Sequence, residues 1–287
     1  MDLCNITDIR RILTKHGFRF SKSMGQNFLI ENWVPNQIAG SAGIDSNTAV
    51  LEIGPGIGCL TVRLSEHAGK VVSVELDKSL EPVLNETLSD CTNVNIIYGD
   101  ILKTDIPRLV SENFNGLTPI VCANLPYNIT SPVLTALIES RCFKSITVMI
   151  QREVALRICA APGCSDYGAF SVYMNWHCQP EILFDVPPDC FIPAPKVHSS
   201  VLHLAMRDTP PVSVKSEKLF FRIVRASFAQ RRKTLTNTLN AGFTELSKED
   251  IKGILTTAGI PGNTRGEALG IKDFARLTDI LFMRLSV

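Results

Sequence analysis

Short apolar runs alternate with amphipathic stretches over the first 206 residues, and this alternation predicts strands joined by helices. Runs of strand length lie at residues 49–53, 70–74, 94–98, 120–123 and 146–150. Apolar residues at helical spacing precede the first run and follow most of the others. Two further strands are predicted at 181–184 and 200–205. We therefore expect an α/β domain with a doubly wound, mostly parallel sheet.

The pattern changes to helices alone after residues 207–212, which read Arg-Asp-Thr-Pro-Pro-Val. A helix is predicted over 215–233, and a second begins after Ser247, a good N-cap that precedes two acidic residues. Gly259 and Pro261 end that helix, and a last amphipathic helix follows. We therefore divide the chain into an α/β domain, residues 1–206, and a small helical domain, residues 207–287.

Glycines and acidic residues follow the first three predicted strands. The first strand runs into Gly-Pro-Gly-Ile-Gly at residues 54–58, the second into Glu75 and the third into Asp100. A glycine-rich turn lets the backbone approach a nucleotide, and an acid after the second strand accepts hydrogen bonds from a ribose. Asp100 can accept from an adenine amine, although a helix N-cap would explain it equally well. The glycine spacing disfavours NAD without excluding it.

The fourth predicted strand leads into Asn124-Leu125-Pro126-Tyr127 at the same edge. The Asn124 amide oxygen and a backbone carbonyl at Leu125 or Pro126 can accept both hydrogens of an adenine amine, which leaves the nitrogen lone pair free to attack. Tyr127 can stack on the base, a contact of about 1–3 kcal/mol, and Phe191 can cover the opposite face. The competing interpretation is that Asn124 caps the next helix and Tyr127 belongs to the core.

Composition excludes several classes of protein. The chain has 287 residues, a net charge of +1, and nine cysteines with no Cys-x-x-Cys pair. This cysteine usage argues against a disulfide framework and a zinc site, so we expect no metal and a reducing compartment. There is no secretory signal and no apolar run long enough to span a bilayer. We expect a cytoplasmic monomer without membrane contact.

Positive charge is concentrated locally, although the whole chain is nearly neutral. Residues 215–233 contain seven basic residues against one acid, interleaved with phenylalanines that can instead pack in the domain core. Such a patch is typical of a nucleic-acid surface. The candidate RNA-binding residues are Lys22, Lys196, Arg222, Arg225, Arg231, Arg232 and Lys233.

Together these motifs resemble the ribosomal RNA adenine dimethyltransferase family, class I enzymes that dimethylate two adjacent adenosines near the 3′ end of small-subunit rRNA. The matching stretches are residues 25–29, 52–58, 74–77, 99–100, 124–129, 191–197 and 225–235. They cover nearly the whole chain in the family's order. Met24 departs from the Leu or Phe that the family often has, but it touches no matched site.

The resemblance implies a seven-stranded Rossmann-like sheet with a small helical domain, and S-adenosyl-L-methionine as methyl donor. It implies a donor site formed by Asn27, Leu29, Glu52, Gly54, Gly56, Glu75, Leu76, Asp100, Ile101 and Asn124. It implies catalysis by Asn124, Leu125, Pro126, Tyr127 and Phe191. The expected partners are small-subunit rRNA and a small-subunit assembly intermediate.

Three other functions remain open from the sequence. A macrolide-resistance methyltransferase shares the chemistry but modifies one adenosine of large-subunit rRNA; the long basic C-terminal segment and the near-neutral charge favour the small-subunit enzyme. A ribosome-assembly or transcription factor that kept the fold without catalysis is disfavoured by the intact 124–127 motif. An NAD oxidoreductase is the third.

Overall fold

A computed structural model describes residues 2–18 and 26–285 and contains two compact units. The first unit comprises the chain up to Ala155 together with Glu181–Met206. The second comprises Leu156–Pro180 and the chain from Arg207 onward. The predicted division also changes units at residue 207, but it assigned 156–180 to the α/β domain. These residues belong to the helical unit because Trp176 packs in its aromatic core, with ring centroids 4.2 Å from Phe220.

A seven-stranded sheet forms the centre of the first unit. Its strands are β2 (Thr48–Ile53), β3 (Lys70–Glu75), β4 (Val94–Tyr98), β5 (Thr118–Asn124), β6 (Ser145–Gln151), β7 (Cys178–Val186) and β9 (Ser199–Met206). Their order is β4-β3-β2-β5-β6-β9-β7. Strands β2 to β6 run parallel, and β9 is antiparallel to β6. The predicted seven-stranded α/β sheet is confirmed.

Two short strands lie outside this sheet. They are β1 (Phe28–Leu29) and β8 (Phe191–Ile192), which pair antiparallel so that Leu29 is opposite Phe191. In the proline-rich stretch 191–197, only the first two residues adopt strand geometry, because the prolines that follow cannot continue a ladder.

Helices cover the strands of the first unit by packing apolar stripes on the sheet. The helices of this unit are α1 (Ile6–Lys15), α2 (Trp33–Ser41), α3 (Cys59–His67), α4 (Glu81–Thr87), α5 (Ile106–Asn113) and α6 (Thr130–Ser140). The next helix, α7 (Arg152–Cys159), continues into the second unit, to which α8 (Ala169–His177) belongs. Ile38 and Leu64, for example, are fully buried in one cluster with Val50 of the sheet. From β2 the chain adds β3 and β4 on one side, and it then crosses to β5 on the other side. The carboxyl ends of the strands at such a switch point form the usual ligand crevice.

The second unit is helical. It contains α8 and the helices α9 (Glu217–Phe228), α10 (Leu235–Gly242), α11 (Lys248–Thr257) and α12 (Ile271–Leu285). The predicted cap of α11 is confirmed, since Ser247 and Asp250 exchange backbone-to-side-chain bonds of 3.1 Å in a capping box. In contrast, α9 ends at Phe228, so the predicted helix over 215–233 was too long. Turn residues follow Phe228 and lead into α10, which begins at Leu235.

Among the residues that the structure describes, no helix is both long and apolar enough to cross a bilayer.

Candidate active site

The turn between β2 and α3 carries three glycines in the left-handed region. Gly54, Gly56 and Gly58 have φ values of +69°, +60° and +90°. A Cβ atom at Gly56 would also lie 3.1 Å from the Phe28 ring, and one at Gly58 would lie 2.9 Å from a Leu88 methyl group. The turn therefore requires glycine both for its backbone angles and for the space around it.

A cavity opens beside this turn, at the carboxyl ends of β2 to β5. Its empty volume, including the open mouth, is about 1130 Å³, which is sufficient for a nucleoside-sized ligand. Each predicted donor-site residue lines it: Asn27, Leu29, Glu52, Gly54, Gly56, Glu75, Leu76, Asp100, Ile101 and Asn124. The predicted donor residues thus come together in space, because parallel strands bring their ends to one edge.

Several lining residues were not among the predicted ones. They include Gln26, Phe28, Cys59, Leu60, Asn128 and Ile129. Four of them belong to the matched stretches 25–29 and 124–129, so the motifs already contained a signal for them. Cys59 and Leu60 follow the glycine turn directly as the first residues of α3. Gly25, which begins the matched stretch 25–29, lies outside the described residues.

Glu75 connects two loops of the cavity. One carboxylate oxygen accepts from the Asp77 backbone N–H at 2.8 Å, and the other accepts from the Gly56 N–H at 3.3 Å. Burial raises the pKa of Glu75, and these backbone bonds oppose that shift. A carboxylate has lone pairs to spare after two such bonds, so Glu75 can still accept from the hydroxyls of a ligand.

Glu52 is a buried carboxyl group on the floor of the cavity, only 1% exposed. Its Oε2 accepts from the hydroxyls of Thr61 and Ser73, both at 2.7 Å. Burial raises the pKa of Glu52 to about 7, although the two hydroxyl bonds lower it and the nearby Glu75 carboxylate raises it further. This group therefore ionises near neutral pH, and a cationic ligand beside it would favour the ionised form.

Asp100 caps a turn and also lines the cavity. Its Oδ1 accepts from the Leu102 N–H at 3.0 Å and so caps the short 3-10 turn at Ile101–Lys103. Its other oxygen lies 3.7 Å from the Lys103 ammonium, and the residue lines the cavity. A cap and a ligand contact are thus compatible at this position.

The 124–127 loop begins at the last residue of β5. The Asn124 amide nitrogen donates to the Asn27 carbonyl at 3.5 Å, which assigns the acceptor role to its Oδ1. The Pro126 carbonyl already accepts from the Ile129 N–H at 3.2 Å. Leu125 is therefore the better source of a second acceptor. The alternative that Asn124 caps the next helix is wrong, because the N-cap of α6 is Ile129.

Tyr127 lines the cavity with a ring that a buried partner holds in place. Its hydroxyl is hydrogen-bonded to the Ser199 hydroxyl at 2.6 Å, and Ser199 is fully buried at the start of β9. Burial raises the pKa of Tyr127, with the Ser199 bond acting in the opposite direction. The Tyr127 hydroxyl is therefore held by β9, while the ring lies at the cavity wall.

Phe191 is placed differently from the predicted base clamp. Its side chain is 3% exposed, and it does not line the cavity. The ring packs instead in the sheet core, in one cluster with Val186 and Val201. Pairing of β8 with β1 directs it inward, which a motif alone does not reveal.

Two of the predicted RNA-binding residues have internal partners. Arg222 donates to the Gly242 carbonyl, pairs with Glu245 at 2.7 Å and lies 4.0 Å over the Phe243 ring. Arg231 donates to the Tyr167 carbonyl at 3.0 Å. Both therefore contribute to the fold of the helical unit.

The remaining candidates that the structure describes lie at the surface. Arg225, Arg232 and Lys233 are exposed in the second unit, and Lys196 is exposed in the first. Lys22 lies outside the described residues. Within 2–18 and 26–285, no cluster of three or more His, Cys, Asp or Glu side chains is arranged to hold a metal.

Comparison with known proteins identifies the family. The family model of the ribosomal RNA adenine dimethylases matches residues 17–281. The chain belongs to the ribosomal RNA adenine dimethylase family. A relative from Alkaliphilus metalliredigens, named ribosomal RNA small subunit methyltransferase A, is 46% identical over 270 residues and covers 94% of each chain.

Solved structures agree with this membership. A dimethyladenosine transferase from Plasmodium falciparum superposes with a TM-score of 0.73 at 26% identity, covering 90% of this chain and 98% of its own. The 23S rRNA methyltransferase ErmE gives 0.68 at 25%, covering 89% and 99%. As a ribosomal RNA adenine dimethylase the protein uses S-adenosylmethionine, so the predicted enzyme class and methyl donor are confirmed. The NAD alternative is wrong.

Proposed function

We propose that the protein dimethylates N6 of two adjacent adenosines near the 3′ end of small-subunit rRNA. The observation that carries this proposal is the 124–127 loop at the mouth of a cavity fitted for a nucleoside donor. Relatives at 43–48% identity are named for the small subunit, whereas ErmE is 25% identical. The difference favours the small subunit over the large one.

Three carboxyl groups that line the cavity fit the methyl donor. Glu75 is placed to accept from its ribose hydroxyls and Asp100 from its adenine amine, while the glycine turn leaves room for the nucleoside. Glu52 places a titratable carboxyl group on the floor, where a positive charge would stabilise its ionised form. When bound, S-adenosylmethionine supplies an electrophilic methyl group on a sulfonium.

The 124–127 loop positions the target amine. The Asn124 Oδ1 and the Leu125 carbonyl accept its two hydrogens, so the nitrogen lone pair points outward. Tyr127, held by Ser199, stacks on the flipped base. The amine proton can leave after transfer, so positioning carries most of the rate and no general base is required.

RNA binding is assigned to the exposed cations. Arg225, Arg232, Lys233 and Lys196 are free to contact phosphates at the surface of their own units. Arg222 and Arg231 also bind backbone carbonyls within the helical unit. As part of the same proposal, we expect a cytoplasmic monomer acting on an assembly intermediate of the small subunit.

Incubation with labelled donor and separated ribosomal subunits tests the proposed substrate. Both subunits should come from cells that lack the enzyme, so that their adenosines are unmodified. We expect label in small-subunit RNA, at two neighbouring adenosines by primer extension. Label in large-subunit RNA alone would overturn the assignment.

A further inference from the structure

Two buried thiols lie next to each other near the donor cavity. Cys4 precedes α1 and Cys59 is the first residue of α3, and their sulfur atoms are 2.7 Å apart. They are 5% and 7% exposed. A disulfide has a sulfur-to-sulfur distance of about 2.05 Å, so a small displacement would join these residues.

Cys59 lies between two cavities. On one side it lines the donor cavity, and its thiol is 4.0 Å from the Leu29 carbonyl. On the other side, Cys59 and Cys4 line a second open cavity together with polar residues such as Asn32 and Arg63. A small oxidant can therefore reach the pair without entering the donor cavity.

We propose that Cys4 and Cys59 form a reversible disulfide that changes donor binding in response to a low-molecular-weight disulfide. The Cys4 thiolate attacks one sulfur of the reagent, which forms a mixed disulfide and releases the first reagent thiolate. Cys59 then attacks the Cys4 sulfur, its proton goes to the solvent, and the second reagent thiolate leaves. The two thiols lose two protons and two electrons, and the reagent is reduced to two thiols.

The neighbourhood of the pair sets this order. The hydrogen bond to Cys4, together with burial, raises the pKa of Cys59 well above its usual value. This shift disfavours the Cys59 thiolate, so we assign the first attack to Cys4 and the resolving step to Cys59.

The disulfide would connect two elements that matter for the donor site. Cys4 lies directly before Asn5, the N-cap of α1, and Cys59 lies directly after Gly58 of the glycine turn. Joining them pulls the Cys59 sulfur toward Cys4 and fixes the start of α3. We expect donor affinity to fall about threefold or more, since small displacements of a binding wall are costly.

Peptide mapping of the full-length protein tests the site. Reduced protein is treated with oxidised glutathione, remaining thiols are alkylated, and a digest is analysed by mass spectrometry without reduction. We expect a Cys4–Cys59 peptide two hydrogens lighter than its parts, which dithiothreitol removes. It should form in Cys164→Ser, which lacks an exposed cysteine, and be absent in Cys4→Ser.

Calorimetric titration with S-adenosylmethionine in the same samples tests the consequence, which rests on the proposed function. Oxidation should weaken binding in the wild type but not in Cys4→Ser, which should keep normal methylation when reduced. The proposed disulfide would be wrong if Cys4 and Cys59 were found alkylated under conditions that oxidise Cys164. It would also be wrong if either cysteine paired with Cys91 instead. Unchanged affinity of the cross-linked protein would overturn the regulation. Peptide mapping does not depend on methyl transfer. A wrong substrate assignment can therefore be distinguished from the absence of the disulfide.

Discussion

Replacement of Glu52 by glutamine should stabilise the first unit while weakening its donor site. The carboxyl group is 1% exposed and has two hydroxyl donors, Thr61 and Ser73, on one oxygen. Glutamine can accept the same two bonds through its own oxygen, and it cannot ionise. The variant therefore keeps the hydrogen bonds and removes the cost of burying a charge.

The size of the expected stability difference follows from the pKa of Glu52, which rises from its ordinary value of 4.5 to about 7. Because the folded state holds the proton more tightly, wild-type stability falls as pH rises through this window. The gap is equivalent to about 3 kcal/mol at about 1.36 kcal/mol per pKa unit. Glutamine and protonated glutamate are nearly equivalent below pH 4.5. The variant's advantage should therefore be near zero there and reach about 3 kcal/mol above pH 7.

Thermal unfolding at several pH values measures this difference. For a unit of this size, the midpoint of the Glu52→Gln variant should exceed that of the wild type by about 6–12 °C at pH 8 and converge with it near pH 4.5. Glu66→Gln is the matched control on α3, because Glu66 is half exposed and pairs only with Arg63 at the surface. Its effect should stay within about 0.5 kcal/mol. A Glu52→Gln variant that is less stable than wild type at pH 8, or a difference independent of pH, would refute the reasoning.

Further outcomes follow from the site and from the exposed cations. Gly56→Ala forces a side chain into the left-handed region and to 3.1 Å from Phe28, so donor affinity measured by calorimetry should fall about tenfold or more; normal binding would show that the turn can relax. Tyr127→Ala should lower the second-order rate of methylation about 5- to 150-fold, which corresponds to about 1–3 kcal/mol of lost stacking. Tyr127→Phe keeps the ring and should lose much less. Equal losses in the two variants would contradict a stacking role. Tyr127→Phe should also lower the melting temperature, because it leaves the buried Ser199 hydroxyl without this partner. Lys233→Gln should weaken RNA binding while leaving donor affinity intact. The slope of the logarithm of RNA affinity against the logarithm of salt concentration should fall by the amount expected for about one phosphate contact. An unchanged slope would show that Lys233 does not contact RNA.

The sheet and the donor site were predictable because buried parallel strands leave a strong local signal. Each is a continuous apolar run, and the next few residues must lie at the rim. Glu75, Asp100 and Asn124 therefore came together from strand order alone. Their residue types suggested hydrogen-bonding roles, and the resemblance to a known family then implied the methyl donor.

The errors share one cause, which is that long-range packing leaves no local pattern. Trp176 lies close in sequence to the sheet but packs on Phe220, over forty positions later. Phe191 follows a motif that suggests a base clamp, yet its pairing with Leu29 directs it into the core. A count of charges included Arg222, although its guanidinium pairs with Glu245 and lies over the Phe243 ring of the same unit.

The chemistry of Glu52 was likewise beyond the sequence. The family resemblance implied a place for this residue in the donor pocket, although it lies within a predicted strand. Its pKa depends on burial by several elements and on the hydroxyls of Thr61 and Ser73, which belong to α3 and β3. Such a property requires the three-dimensional structure.

The central claim is that the 124–127 loop positions the target amine, and Asn124→Ala tests it most directly. Asn124 also lines the donor cavity, so donor affinity must be measured in parallel and methylation assayed at saturating donor. Mass spectrometry of digested small-subunit rRNA then reports dimethyladenosine. The account predicts a loss of at least about 100-fold in methylation by fully loaded enzyme. Full methylation by the variant would contradict it.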